Sequence, residues 1–231
     1  MIVGSISDWY RDDFGFSVGL IDTFVGLIEK QTEDAIHNYR TEKKLDVVED
    51  DVEDYGIHGH PVESYGGLDS DSYDVKSVFE EHFPSLQRRS AMITVYGYFE
   101  HELVRLCNLF KDEKQLSLSF SDLKDDGIQR STNYLQKVAH LNVHKNSPTW
   151  KSINRVRIIR NMVVHRDVRL RDSQGRIPSE VNDAVTNLKH LRTTESEIVL
   201  EMGFVAQVVD IFKAYFKLID DSIQEEIRDG R

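Results

Sequence analysis

An arginine, an asparagine and a histidine lie within one six-residue segment, Arg160-Asn161-Met162-Val163-Val164-His165. Histidine exchanges protons near neutral pH, so it can act as a general base or a general acid. An arginine can hold a phosphate whose oxygens gain charge in a transition state. Together these residue types predict a site that cleaves RNA without a metal ion.

The predicted reaction uses the 2′-hydroxyl of RNA as the nucleophile on the adjacent phosphodiester. In this reaction His165 moves the proton and Arg160 binds the non-bridging oxygens. Asn161 orients the histidine or donates a hydrogen bond to the phosphate. The expected products are a 2′,3′-cyclic phosphate and a 5′-hydroxyl, and DNA is excluded as a substrate because it lacks the 2′-hydroxyl.

The segment lies in a predicted helix, residues 148–166, which begins with a serine N-cap followed by a proline, Ser147-Pro148. Successive residues of a helix advance by about 100° around its axis, so residues at four-residue steps share an edge. Arg157, Asn161 and His165 are therefore expected to lie along one polar edge. The core side is expected to carry three aliphatic residues, Val156, Ile159 and Val163.

Arg160 lies roughly 140° from His165 around the same helix. Within one chain, only the length of the arginine side chain lets it reach the surface that carries the histidine. If two copies of the helix cross at a twofold axis, the arginines and histidines of both chains come together. The pattern therefore favours a homodimer with a composite site.

The region around this helix is basic, although the chain as a whole has a formal net charge of −11. Residues 151–176 contain eight lysines and arginines against two acids. A basic segment of this kind attracts the phosphates of an RNA backbone. The arginines expected to contact RNA are Arg157, Arg166 and Arg169, with Arg171 beside them. For the arginines beyond His165, namely Arg166, Arg169 and Arg171, a solvated loop is an equally acceptable explanation.

Residues 46–81 are acidic, with twelve acids and one base. Such a tract can repel nucleic acid, recruit a basic partner or shield the basic region of its own chain. It has too few aliphatic residues for a core, so we predict an inserted segment that is mobile or partly ordered. Regular elements are expected to be broken by its turn-forming residues, Gly56, Gly59, Pro61, Gly66 and Gly67.

Most of the remaining chain has apolar residues at helical spacing. The predicted helices cover residues 17–42, 86–113, 121–141, 148–166 and 203–227, with a short polar helix or turn at 179–192 and an extended segment at 197–200. This pattern predicts one all-α domain over residues 1–231. Four principal helices form the bundle, and the acidic insertion follows the first long helix.

Several classes of protein are disfavoured. Cys107 is the single cysteine, so no internal disulfide forms, which favours a reducing cytoplasm. No apolar run spans a membrane, and the first five residues do not resemble a secretory signal. No glycine-rich phosphate loop, Cys-x-x-Cys pair or Gly-x-Ser-x-Gly elbow occurs. No metal or other cofactor is expected. His58 and His60 lie one residue apart in a glycine-rich loop, where such a pair usually binds nothing, and His140 and His144 have the spacing of a helical metal edge but no evident third ligand.

The pattern resembles the HEPN superfamily, whose bacterial members include ribonuclease toxins and abortive-infection proteins. The resemblance rests on Arg160-Asn161-x-x-x-His165 and on residues 90–103, which look like the long second helix of that family with Glu100 facing the site. It implies a four-helix HEPN fold in which Glu100 positions Arg160 or tunes His165. It also implies a role in bacterial antiviral defence or a toxin–antitoxin system, with an antitoxin or regulatory protein as partner.

Two other functions fit the same sequence. The motif surface could bind a nucleotide, RNA or a partner protein without catalysis. Alternatively, the acidic tract at residues 46–81 could recruit a basic partner while the bundle only dimerises. For Arg160 itself, the structural alternative is a solvated helix edge on which it pairs with an acid such as Glu100.

Overall fold

Apolar side chains at helical spacing build most of this protein. The structure, a computed structural model, describes residues 5–52 and 56–230, and it describes only the backbone of residues 50–52 and 56–58. The chain is mostly helical, as predicted. The helices are α1 (Gly15–Glu42), α2 (Phe83–Glu113), α3 (Gly127–Lys137), α4 (Pro148–Arg166), α5 (Ser179–Asn187) and α6 (Phe204–Arg228). Short helical turns at Trp9–Phe14 and Val78–His82 lead into α1 and α2.

Helix α2 lies at the centre and contacts α1, α3, α4 and α6, while α6 also contacts α1 and α4. Their facing sides form one hydrophobic cluster. Phe99 of α2 and Phe212 of α6 stack with ring centroids 4.1 Å apart. Burial of a large apolar side chain of this kind contributes about 1.5–3 kcal/mol. The site helix α4 is attached to this core through five buried residues, Trp150, Ile153, Val156, Ile159 and Met162.

The acidic tract contains regular structure, so the prediction that its glycines and proline exclude it is wrong. Strands β1 (Lys44–Val52) and β2 (Gly56–Tyr65) pair antiparallel, and β3 (Leu68–Asp69) pairs with the end of β2. Pro61 lies opposite Val47 of β1, and β3 pairs only with Ser64 and Tyr65, so the other edge of β2 is open at position 61. Proline is found in sheets mainly at such open edges. At Gly59 the side chain of Val47 takes the space that a Cβ would need.

Some helix ends also differ from the prediction. The helix expected at 121–141 covers only Gly127–Lys137, and the short polar helix ends at Asn187. His140 and His144 have positive φ angles of 58° and 49°, so they do not share a helix edge. His144 instead lies 2.8 Å from the hydroxyl of Ser222. The histidine pair is therefore not the helical metal edge that its spacing suggested.

A small sheet and a buried arginine hold the end of α4. Strands β4 (Leu191–Thr193) and β5 (Ile198–Leu200) pair antiparallel, in agreement with the extended segment predicted near residue 198. Arg89 of α2 is buried and lies 3.2 Å from the carboxylates of both Asp167 and Glu197. Because Asp167 follows the last turn of α4, this double ion pair ties that turn to α2 and the sheet.

Residues 1–4, on which the expectation about a signal segment depends, lie outside the described residues, as do Glu53 and Asp54 of the acidic tract. Across the described ranges, none of the helices combines the length and the apolar character needed to cross a membrane.

Candidate functional site

Helix α4 begins and ends at local signals in its sequence. The Ser147 hydroxyl accepts a hydrogen bond of 3.0 Å from the backbone N–H of Trp150, and Pro148 occupies the first turn. At the other end, Asp167 and Val168 have φ angles of 46° and 54°, and the N–H groups of both donate to the carbonyl of Met162. This left-handed end stops the helix just after His165, so the histidine lies on the last turn.

Four polar residues of α4 line one surface cleft against α5. The cleft has a volume of about 330 Å³ and is lined by Arg157, Asn161, His165 and Arg166 on one side and by Glu180 and Val181 on the other. The four-residue spacing predicts that the first three share an edge, and the structure places them on one. His165 is exposed, so its imidazole is accessible to a ligand in the cleft.

Arg160 does not line this cleft. Its guanidinium carbon lies 5.5 Å from the centroid of the Tyr96 ring, a cation–π distance, and its Nη1 donates a 3.1 Å hydrogen bond to Oδ1 of Asn161. Within the described part of the chain, that bond is the only one that Asn161 makes through its side chain. The amide nitrogen of Asn161 therefore keeps its two N–H donors for a ligand in the cleft.

Glu100 lies behind Arg160, against the first residue of α3. A Cβ on Gly127 would approach Oε1 of Glu100 to 2.7 Å, and the φ of Gly127 is +53°, a backbone conformation that favours glycine. Burial raises the pKa of the Glu100 carboxyl, and the positive charge of Arg160 partly opposes this rise. No ion pair joins Glu100 to Arg160 in the described residues, so the two groups interact over a longer distance than a direct contact.

Tyr96 interacts electrostatically with Glu100, Arg157 and Arg160. Burial raises the pKa of its hydroxyl above the ordinary value, and the Glu100 carboxylate adds to the rise, whereas Arg157 and Arg160 oppose it. The ring is almost fully buried. Tyr96 is therefore a core residue whose ring also forms the surface on which the Arg160 guanidinium rests.

The arginines of this region differ in whether a carboxylate neutralises them. Arg155 donates to both oxygens of Asp183, at 2.8 and 3.2 Å. Arg157 and Arg160 have no carboxylate partner among the described residues, and Arg166 donates to the backbone carbonyl of Arg171 at 3.0 Å. The cleft therefore has an excess of uncompensated positive charge beside the exposed histidine, an arrangement suited to a phosphodiester.

Arg169 lies apart from the other predicted RNA contacts. It lines a neighbouring cleft of about 350 Å³ together with Asp167, Arg171 and Glu197. The structure thus brings together Arg157, Asn161, His165 and Arg166, and it places Arg169, Arg160 and Glu100 outside their cleft. Sequence reasoning missed Glu180, because its place opposite α4 depends on how α5 packs rather than on any local motif.

No group of three or more histidine, cysteine or carboxylate side chains that could hold a metal ion is found in the part of the chain that the structure describes. His60 lies 3.1 Å from Asp71, and the side chain of His58 is outside the described residues.

In comparisons with known proteins, the chain matches no protein-family model, no curated protein and no solved structure.

Proposed function

We propose that this protein is a metal-independent endoribonuclease that cleaves RNA through attack of the 2′-hydroxyl. One observation carries the proposal: the exposed His165 shares a cleft with Arg157 and Asn161, and no carboxylate of the described chain neutralises that arginine. A proton-transfer group, a fixed cation and an amide donor within one cleft are the parts that phosphodiester transesterification needs.

Side chains alone can accept and supply the protons that this reaction moves. The 2′-oxygen bonds to phosphorus as its proton passes to a neutral imidazole, and the bond between phosphorus and the 5′-oxygen breaks. A protonated imidazole supplies the proton that the leaving 5′-oxygen takes up. Arg157 and the amide nitrogen of Asn161 bind the non-bridging oxygens as their negative charge grows. The products are a 2′,3′-cyclic phosphate and a 5′-hydroxyl.

A second copy of the chain would supply the other imidazole, because one protomer presents a single motif histidine. We propose a homodimer in which two α4 helices approach each other around a twofold axis. In one protomer Arg160 is held on Tyr96, so its role there is to fix Asn161 through the Nη1–Oδ1 hydrogen bond. The fold proposed with this function is the HEPN four-helix bundle, formed by α1, α2, α4 and α6.

The biological role proposed with this activity comes from the resemblance of the motif to the HEPN superfamily. It is a cytoplasmic effector of bacterial defence or of a toxin–antitoxin system, restrained by an antitoxin or regulatory protein. Expression of the wild type would then slow growth, whereas expression of His165→Ala would not.

The decisive test is purified protein with RNA in EDTA. We expect cleavage by the wild type, products that end in 2′,3′-cyclic phosphate, and no cleavage at a linkage whose 2′-hydroxyl is replaced by hydrogen. His165→Ala should remove cleavage while circular dichroism and the unfolding midpoint remain those of the wild type. Intact RNA at high concentration of wild-type dimer, or full activity of His165→Ala, would overturn the proposal.

A non-catalytic binding module is the second candidate, and the position of Arg160 favours it. A transition-state arginine should reach the phosphate, yet the Arg160 guanidinium lies over Tyr96. If the cleft only binds, His165→Ala should retain RNA affinity and the wild type should leave RNA intact. Measuring affinity and cleavage on the same RNA therefore separates the two candidates.

A further inference from the structure

One acid faces the basic wall of the candidate cleft. Glu180 lies in the first turn of α5, opposite Arg157, Asn161 and His165. Its side chain is exposed. The first turn of a helix favours an acid, since the N-terminal N–H groups carry partial positive charge. That preference explains why an acid is stable at this position, and the packing of α5 against α4 makes this acid part of the lining of the cleft.

The carboxylate of Glu180 is uncommitted. Although two arginines line the same cleft, no hydrogen bond or ion pair of Glu180 is found within residues 5–52 and 56–230. By contrast Asp183, one turn further along α5, is paired with Arg155 at 2.8 Å. Both oxygens of Glu180 can therefore accept hydrogen bonds from a ligand, and a phosphate bound by Arg157 would be kept away from that wall by charge repulsion.

The cleft thus has one wall that suits a phosphate and an opposite wall that can accept hydrogen bonds. The accepting wall suits one base. Guanine is the only standard RNA base whose Watson–Crick edge has two adjacent donors, N1–H and the N2 amino group. Adenine and cytosine place a ring-nitrogen acceptor beside their amino group, which a carboxylate repels, and uracil has a single N–H between two carbonyls. Unstacked bases of single-stranded RNA expose this edge to a protein.

We propose that Glu180 is a specificity-determining residue that accepts two hydrogen bonds from the Watson–Crick edge of a guanine next to the scissile phosphate. This inference rests on the proposed ribonuclease function and names its substrate class: single-stranded RNA with guanine at the cut site. A bidentate contact of this type gives about 1–3 kcal/mol of discrimination, so guanine should be preferred roughly five- to 150-fold over the other bases.

The test uses short RNAs in EDTA that contain uridine at every position except a central one. The central base is guanine, adenine, cytosine, uracil, inosine or 7-deazaguanine, and the initial rate of cleavage at its linkage is measured. Inosine lacks the N2 amino group, so its rate should fall about tenfold or more below that of guanine, since one hydrogen bond to a charged group is lost. 7-Deazaguanine keeps the Watson–Crick edge and should match guanine.

The variant is Glu180→Gln, and its matched control is Glu195→Gln, an exposed acid that lines the neighbouring cleft. Glu180→Gln should reduce the guanine preference to about twofold or less, because one acceptor oxygen becomes a donor. Glu195→Gln should keep the wild-type preference. Ratios between bases are compared, so a general rate change from removing one negative charge does not affect the result.

The possible outcomes are distinct. Equal cleavage at all bases by the wild type leaves the nuclease standing and overturns the role of Glu180. A guanine preference that is lost with 7-deazaguanine, but kept in Glu180→Gln, also overturns the role of Glu180. Such a result would show that an arginine reads the N7 and O6 edge of guanine. RNA that remains intact with every base overturns the ribonuclease proposal, and the inference about guanine fails with it.

Discussion

Two arginines of α4 that are two residues apart should respond very differently to removal. Arg155 is bound to both oxygens of Asp183, so its charge is already neutralised. Arg157 lines the cleft, its Nε is buried without a hydrogen-bond partner, and no carboxylate of the described chain pairs with it. The prediction compares Arg157→Ala with Arg155→Ala, two changes of the same chemistry on the same helix.

The expected magnitudes follow from these surroundings. A hydrogen bond between charged groups contributes about 1.5–3 kcal/mol. Loss of one phosphate contact should therefore lower kcat/KM of Arg157→Ala roughly ten- to 100-fold, since about 1.4 kcal/mol corresponds to a factor of ten. Arg155→Ala loses a partly exposed ion pair, which costs about 0.2–1 kcal/mol of stability. It should change kcat/KM by less than about twofold, because it removes no free cation from the cleft.

The assay is cleavage of one single-stranded RNA in EDTA at several salt concentrations, with urea unfolding of each variant as the control for stability. Arg157→Ala should also reduce the slope of log affinity against log salt by about 0.7, the value for one phosphate contact on a single strand. The reasoning is refuted if Arg155→Ala and Arg157→Ala lose the same activity, or if Arg157→Ala retains the activity and salt slope of the wild type.

Two further predictions concern the groups behind the cleft. Tyr96→Phe keeps the ring beneath the Arg160 guanidinium and should retain cleavage. Tyr96→Leu loses a cation–π contact of about 0.5–2 kcal/mol and should lower kcat about two- to 30-fold. Equal kcat for both variants would contradict this prediction. Glu100→Gln should unfold at higher urea concentration than the wild type at pH 7. Burial raises the pKa of Glu100 in the folded state, so its charged form destabilises the fold above that pKa, and the penalty disappears as the pH falls below the unfolded value of about 4.3. Glu100→Gln and the wild type should therefore become equally stable near pH 4. If Glu100→Gln is no more stable than the wild type at pH 7, burial does not destabilise the charged carboxyl.

The helices were predictable where their signals are local. The site helix is expected at 148–166, and it is found at Pro148–Arg166, because Ser147 and Pro148 define its start within a few residues. The hairpin in the acidic tract was not predictable in the same way. A glycine and a proline usually weaken a strand. Here the side chain of Val47 fills the space beside Gly59, and β3 does not reach the edge of β2 at Pro61, and neither contact can be read from the local sequence.

The residues of the candidate site show the same difference between positions set by local sequence and positions set by tertiary packing. The shared edge of Arg157, Asn161 and His165 can be predicted from the sequence, because helical periodicity depends only on residues within one helix. The contact of Arg160 with Tyr96 and the place of Glu180 in the lining of the cleft cannot be predicted in this way. Those positions depend on how α2 and α5 pack against α4, and packing between helices is set by side-chain shapes from distant parts of the chain rather than by spacing along it.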